Sequence, residues 1–203
     1  MPRMIVVAGP PGGGKSTQLG ADYFRLQQIP YFNIDDRCKE LHGSSKGIPL
    51  HIRNRANAEL RQFCKDHFVA QMTFAYETTL RAPFAIEQSG LARAAAFQTE
   101  LHFIAAPFAV HLKRVQARSQ QGGHSASEKT LRSMYDASLN NLPGAVRVFD
   151  HTLLYDGSGA EPQLLIETHA NVIQKYTGGI PDWMELGLRN ARQPQRDRED
   201  FGR

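Results

Sequence analysis

Met4-Ile5-Val6-Val7-Ala8-Gly9-Pro10-Pro11-Gly12-Gly13-Gly14-Lys15-Ser16-Thr17 joins an apolar run to a glycine-rich turn and then to a helical pattern. The first five residues form a continuous hydrophobic stretch, as expected of a parallel strand buried on both faces. Gly9 to Ser16 satisfies the spacing GxxxxGK[ST] of a P-loop. Glycines there let successive backbone N–H groups turn inward around a phosphate. The start of the following helix adds partial positive charge at the same point. On this reading Gly9, Pro10, Pro11, Gly12, Gly13, Gly14, Lys15, Ser16 and Thr17 hold a nucleoside triphosphate. Lys15 bridges its β- and γ-phosphates, and the Ser16 hydroxyl is a ligand for Mg²⁺. No NKxD-type guanine signature stands in the expected place, which points to ATP.

Beyond this motif, strands and helices alternate. A helix is expected from about residue 15 to 28, with Leu19, Tyr23 and Leu26 as its apolar stripe. Tyr31 to Ile34 reads as a second strand, closed by Asp35 and Asp36. A loop at 43–50 leads to a long helix at 52–70, lined by Ile52, Ala56, Leu60, Phe63, Cys64, His67 and Phe68. Met72 to Tyr76 is a third strand ending at Glu77, and 83–96 is helical. A fourth strand lies at Leu101 to Ala105, and a fifth around Thr152 to Tyr155. Between them come a helix over 108–120, a break at Gln121 to His124, and a helix through Leu139 opened by a Ser125/Glu128 capping box. Leu164 to Thr168 and Val172 to Tyr176 read as a helix or a hairpin turning at Asn171. The fold class expected is a three-layer α/β P-loop NTPase fold. It has a mostly parallel sheet of about five strands, helices on both faces and a helical lid. One domain is expected over 1–187, with a basic, disordered tail over 188–203.

Composition restricts the function classes. Charged residues make up 22% of the 203-residue chain, and its net charge is +4. That excess fits a polyphosphate pocket plus an Arg-rich tail; no interleaved basic–aromatic motif marks a nucleic-acid binder, so nucleic acid is disfavoured as a partner. No membrane-length apolar run or signal pattern is present, and a cytoplasmic protein is expected. The two cysteines, Cys38 and Cys64, have neither CxxC spacing nor flanking histidines, which disfavours a structural zinc site and a disulfide framework.

In a parallel sheet the C-terminal strand ends share one edge, where ligands bind. Asp35 and Glu77 should both open there. Asp35 can accept the proton of an attacking hydroxyl, help hold the metal, or simply cap a turn. Glu77-Thr78-Thr79-Leu80-Arg81 suits a hydroxyl- or phosphate-bearing acceptor; its plainer reading is a Thr-rich turn with an exposed Glu–Arg pair. Arg114, Arg118 and Arg132 flank Gly122-Gly123, where a closing lid can neutralise phosphoryl charge, although any one of them can be an ordinary solvated arginine. His67 and His102 are expected on packed faces, and Trp183 is expected to anchor the C-terminal segment.

Together with the P-loop, Phe32-Asn33-Ile34-Asp35-Asp36, Tyr76 to Arg81, Arg114-Val115 through His124, Tyr135, Ser138 to Pro143 and Leu154 to Gly159 resemble the zeta toxin family of P-loop proteins. The likeness runs in order over roughly residues 4–160. It implies a small-kinase fold and ATP-dependent transfer to a hydroxyl of UDP-N-acetylglucosamine or a related nucleotide sugar. Lys15 matches the P-loop lysine, Asp35 the catalytic base, Glu77 and Thr79 the acceptor contacts, and Arg114 a phosphate-stabilising arginine. The family's second lid arginine has no direct counterpart, and either His124 or Arg132 stands in its place. The resemblance also implies an antitoxin protein as partner, although no antitoxin segment lies within the chain. A nucleotide-driven interaction switch and a polynucleotide kinase are the competing readings.

Overall fold

The computed structural model describes residues 1–120, 126–170, 172–177 and 179–188. The elements in chain order are β1 (Arg3–Ala8), α1 (Lys15–Gln18), α2 (Ala21–Leu26), β2 (Tyr31–Asn33), α3 (Ile34–His42), α4 (Leu50–Ala70), β3 (Phe74–Thr78) and α5 (Phe84–Ala94). They continue with β4 (Gln98–Ala105), α6 (Phe108–Gln120), α7 (Glu128–Val148), β5 (His151–Asp156), β6 (Gln163–His169), β7 (Val172–Tyr176) and α8 (Asp182–Leu188).

The sheet has seven strands in the order β2-β3-β1-β4-β5-β6-β7. The first five run parallel, as expected, and β6 and β7 extend the sheet as an antiparallel hairpin. That resolves the helix-or-hairpin alternative over 164–176 in favour of the hairpin. Asn171 lies outside the described residues. Chain order reverses at β1, whose neighbours are β3 and β4. The crevice at such a switch point, outside the strand C-termini, is where open α/β sheets bind ligands. The loop after β1 opens into it.

Two apolar layers sandwich the sheet. The larger packs Leu60 and Cys64 of α4, Ala85 and Ala92 of α5, Val115 of α6, and Leu131, Leu139 and Leu142 of α7 against Met4, Val6, Phe74 and Tyr76. Phe63, Phe68 and Trp183 border this layer, as expected of the long helix and of the C-terminal anchor. The thinner layer sets Leu19 and Phe24 against Ile5, Val7, Ala75 and Ile104.

Local chemistry shifted several boundaries. The single helix expected at 15–28 is two, interrupted at Leu19-Gly20, because both Leu19 and Phe24 reach the core while Tyr23 and Leu26 remain exposed. The 100° rotation of one continuous helix would not aim those two side chains at the same patch. Asp35 and Asp36 do not end a strand but sit in the first turn of α3. The cap of α7 is Ser127, whose Oγ accepts the N–H of Thr130 at 3.2 Å, rather than Ser125. The helix then runs on through Pro143 to Val148. Among the described residues, no helix is long and apolar enough to cross a membrane. The tail beyond α8 lies outside the described residues, as do Gln121 to Ser125.

Candidate functional site: the P-loop and the β2–β3 edge

β1 delivers the chain to Gly9, where φ is 141° and an added β-carbon would overlap the carbonyl oxygen of Ile104 on β4. Only glycine fits, so the backbone crosses the top of β4 at close quarters. Gly13 N–H then donates to Pro10 O at 3.1 Å, closing the turn, and α1 starts at Lys15. The Lys15 side chain is folded back over this loop and is only 7% exposed. Its Nζ donates to Gly9 O at 2.8 Å and Pro10 O at 3.1 Å. Glu77 Oε1 lies 3.5 Å from the same nitrogen. Ser16 is exposed beside it, and a hydroxyl oxygen suits a hard cation such as Mg²⁺.

Glu77 links the loop to the neighbouring strand. Its Oε2 accepts Tyr31 O–H at 3.0 Å and Asn33 Nδ2–H at 3.3 Å. Burial, followed by the Glu77 charge, pushes the Tyr31 hydroxyl well above its ordinary pKa, so it stays a donor. Asn33 also works in the opposite direction. Its Oδ1 accepts the N–H groups of Asp35 at 2.8 Å and Asp36 at 3.4 Å, capping α3. A chain of polar contacts therefore runs from the P-loop lysine through Glu77 and Asn33 to the first turn of α3. Asp35 is exposed on that turn. The Asp36 carboxyl is held above the usual carboxylate range by partial burial, then by the charges of Glu77 and Asp35.

The rest of the 77–81 segment is tightly formed. Thr78 Oγ1 accepts Leu80 N–H at 3.2 Å, and Leu80 O accepts Asn141 Nδ2–H at 2.9 Å. Leu80 is fully buried with φ at 55°, an uncommon conformation for a branched side chain and one often found beside functional sites. Thr79 is half-buried and Arg81 exposed on the same turn. The plainer Glu–Arg reading fails, because Glu77 is turned inward to Lys15.

The arginines of the expected lid have separate placements. Arg114 is a clamp. Its Nη1 donates to Gly157 O at 2.6 Å and Gly12 O at 3.4 Å, and its Nη2 to Gly159 O at 2.8 Å and Ser158 O at 3.3 Å. The planar guanidinium thus ties the P-loop to the turn between β5 and β6. Gly157 is equally close to the loop, since a β-carbon there would overlap Gly13 O. The Arg132 guanidinium lies 3.6 Å from the Phe108 ring centroid, a cation–π contact on α7, and Arg118 is exposed on α6.

His111 was not singled out from the sequence. Its ring, in α6, is 2% exposed, with Nδ1 2.7 Å from Pro11 O and Nε2 3.0 Å from Ala106 N. Ala106 N–H donates to Nε2, so Nδ1 carries the proton and donates to the P-loop carbonyl. Tyr135, whose hydroxyl donates to Ala106 O at 3.0 Å, packs edge-on against the imidazole. Burial, with help from the Lys15 and Arg114 charges, depresses the His111 pKa to about 4. The sequence did carry a signal: His111 shares the buried stripe of α6 with Phe108 and Val115, and a polar group there needs partners.

A family profile described as an AAA domain matches residues 4–138. No curated protein matches the sequence. The crystal structure of AvrRxo1-ORF1:-ORF2 with ATP superposes with a TM-score of 0.65 at 15% identity, covering 86% of this chain and 60% of that one. The PezAT chromosomal toxin–antitoxin system of Streptococcus pneumoniae gives 0.58 at 15% identity, covering 94% of this chain and 84% of that one. The Pnkp1/Rnl/Hen1 RNA repair complex gives 0.53 at 16% identity, covering 68% of this chain and 44% of that one. At these identities the likeness establishes a common fold.

Proposed function

The chain belongs to the AAA domain family, and on that footing we propose that it is a kinase-like member, an ATP-dependent phosphotransferase acting on a hydroxyl of a small acceptor. The observation that carries the proposal is the contact chain from Lys15 through Glu77 and Asn33 to the turn bearing Asp35. A loop that only held nucleotide would not need to be wired to a carboxylate-bearing turn two strands away.

The reaction follows from these groups. Lys15 exchanges the Gly9 and Pro10 carbonyls for β- and γ-phosphate oxygens. The Ser16 hydroxyl would hold Mg²⁺, which would supply charge neutralisation for the transferring phosphoryl group. Asp35 orients the acceptor hydroxyl and takes its proton as the acceptor oxygen bonds to the γ-phosphorus. The bond from that phosphorus to the β-bridging oxygen breaks, and ADP leaves. Glu77, Thr79 and Arg81 line the acceptor side, and Arg114 keeps the phosphate loop in register. Arg118 and Arg132 belong to the nucleotide side only if α6 and α7 close over it.

The resemblance to zeta toxins makes UDP-N-acetylglucosamine and other nucleotide sugars the first acceptors to try, and an antitoxin protein the first partner. The likeness to an RNA repair complex adds a 5′-hydroxyl RNA to the panel. The chain is incubated with γ-labelled ATP, Mg²⁺ and each acceptor in turn. Label on one compound identifies the acceptor, and Asp35→Asn should abolish that transfer while ATP affinity is retained. Release of free phosphate alone, at one rate with every acceptor, overturns the reading in favour of a nucleotide-driven switch.

A further inference from the structure

The sheet carries a second polar cluster, at the opposite end of the strands from the P-loop. Glu100 and His102 alternate with Ile104 along β4, so they share its face, the one that α1 and α2 cover farther along. Register then places His151 beside Glu100, and His169 beside His151. Glu167, two residues before His169, projects from the same face. None of these groups takes part in the phosphate site.

Their geometry is convergent. His151 Nε2 lies 3.0 Å and His169 Nε2 3.3 Å from the same atom, Glu167 Oε1. The two imidazoles stack with centroids 4.1 Å apart and 12° between planes. One ligand atom from each of the three side chains can be chosen so that all lie within 4.8 Å of one another. A tetrahedral ion bonded to nitrogen and oxygen at about 2.0–2.2 Å requires ligand atoms roughly 3.3 Å apart, which the two imidazole–carboxylate separations match. Parallel rings cannot both direct an in-plane lone pair at one ion, so binding turns the more exposed His169 ring out of the stack. Glu100 Oε2 is 3.7 Å from His151 Nδ1, on the far side of that ring. No hydrogen bond forms at that distance, but the carboxylate charge still favours the proton on Nδ1 and leaves the Nε2 lone pair for a metal. The β5–β6 ladder fixes the backbone on which the ligands stand, and Ala170 N–H donates to Asp150 O at 2.7 Å to close its end.

We infer that His151, Glu167 and His169 bind one zinc-class divalent cation, which fastens the start of β5 to the end of β6. Two imidazoles and one carboxylate select zinc, cobalt, nickel or copper over magnesium and calcium, which prefer all-oxygen ligand sets. The site is therefore chemically distinct from a Mg²⁺ position at Ser16. Three protein ligands leave a fourth position for water.

The test uses the full chain, untagged and stripped with a chelator, in excess Mg²⁺ so that hard-cation positions are filled. Zn²⁺ is titrated in competition with a chromophoric chelator, and Co²⁺ is followed by its visible absorption. One equivalent should bind. His169→Ala, which removes a half-exposed side chain, and Glu167→Gln each delete a direct ligand, and should weaken Zn²⁺ by at least the roughly 10–100-fold that loss of an outer-shell partner costs. Zn²⁺ should raise the melting temperature of the wild type and of neither variant, with circular dichroism spectra unchanged by the substitutions. Absence of saturable Zn²⁺ binding overturns the inference and leaves an ion-paired His–Glu cluster. Equal binding by wild type and both variants also overturns it, because the ion then sits elsewhere. Neither result bears on ATP turnover, so the phosphotransferase reading stands or falls separately.

Discussion

Protonation of His111 should loosen the P-loop, and the size of the effect can be calculated. Its Nε2 accepts the Ala106 N–H, so a second proton on the ring must break that bond inside a site already holding Lys15 and Arg114. The folded pKa, about 4, lies below the ordinary histidine value of 6.5. Between those values the unfolded chain binds more protons than the folded one, so stability rises with pH through the window. The contribution is fully present above 6.5 and is lost as pH falls towards 4. Linkage over this gap gives a loss of about 2 kcal/mol between pH 7 and pH 5, and about 3 kcal/mol in total. Urea unfolding of wild type and His111→Gln at both pH values isolates the term, because every other titrating group is common to the two proteins. The wild type should lose about 2 kcal/mol more than the variant on going from pH 7 to pH 5. Equal losses would refute the buried, neutral imidazole and the P-loop bond that depends on it.

Three other substitutions probe the contact chain and the clamp. Asn33→Asp preserves the cap of α3 but sets a carboxylate against Glu77; it should destabilise the fold by about 1–2 kcal/mol near neutral pH, with the penalty shrinking in acid urea titrations. Asn33→Ser, which caps without the added charge, is the control. Arg114→Lys replaces four carbonyl bonds with those one ammonium can reach, and should cost about 1–3 kcal/mol in urea unfolding and weaken ATP in calorimetry. Gly157→Ala should lower ATP affinity at least about 10-fold, because its β-carbon drives into Gly13 O, whereas Gly159→Ala meets nothing closer than 3.4 Å and should bind normally.

The phosphate loop was legible because three local signals coincide there: an apolar strand, a fixed glycine spacing and a helix start. The position of Asp35 and Glu77 on one edge followed from parallel topology alone. What they touch did not. Glu77 and Lys15 are 62 residues apart in sequence and meet only because β3 lies beside β1 (77 − 15 = 62). The dual role of Asn33 depends on the same neighbour relation between β2 and β3. Arg114 reads as one more helix-surface cation until the β5–β6 turn is folded against it. Periodicity also misassigned the helix after the P-loop, since it cannot register a break that lets Leu19 and Phe24 reach one patch. The cysteine-based argument about zinc had no means of detecting His151 and His169, which are brought together by strand pairing rather than by spacing.

The Arg114 fork has a practical consequence for redesign. Residues 157–159 and the P-loop behave as a single mechanical part, joined by one side chain and by the close approach of Gly157 to Gly13. Exchanging the turn alone, to alter nucleotide preference, would leave Arg114 gripping a foreign backbone and would drag Gly12 out of line. The unit to transplant is therefore a cassette of three pieces, the glycine-rich loop, the arginine and the turn, moved together.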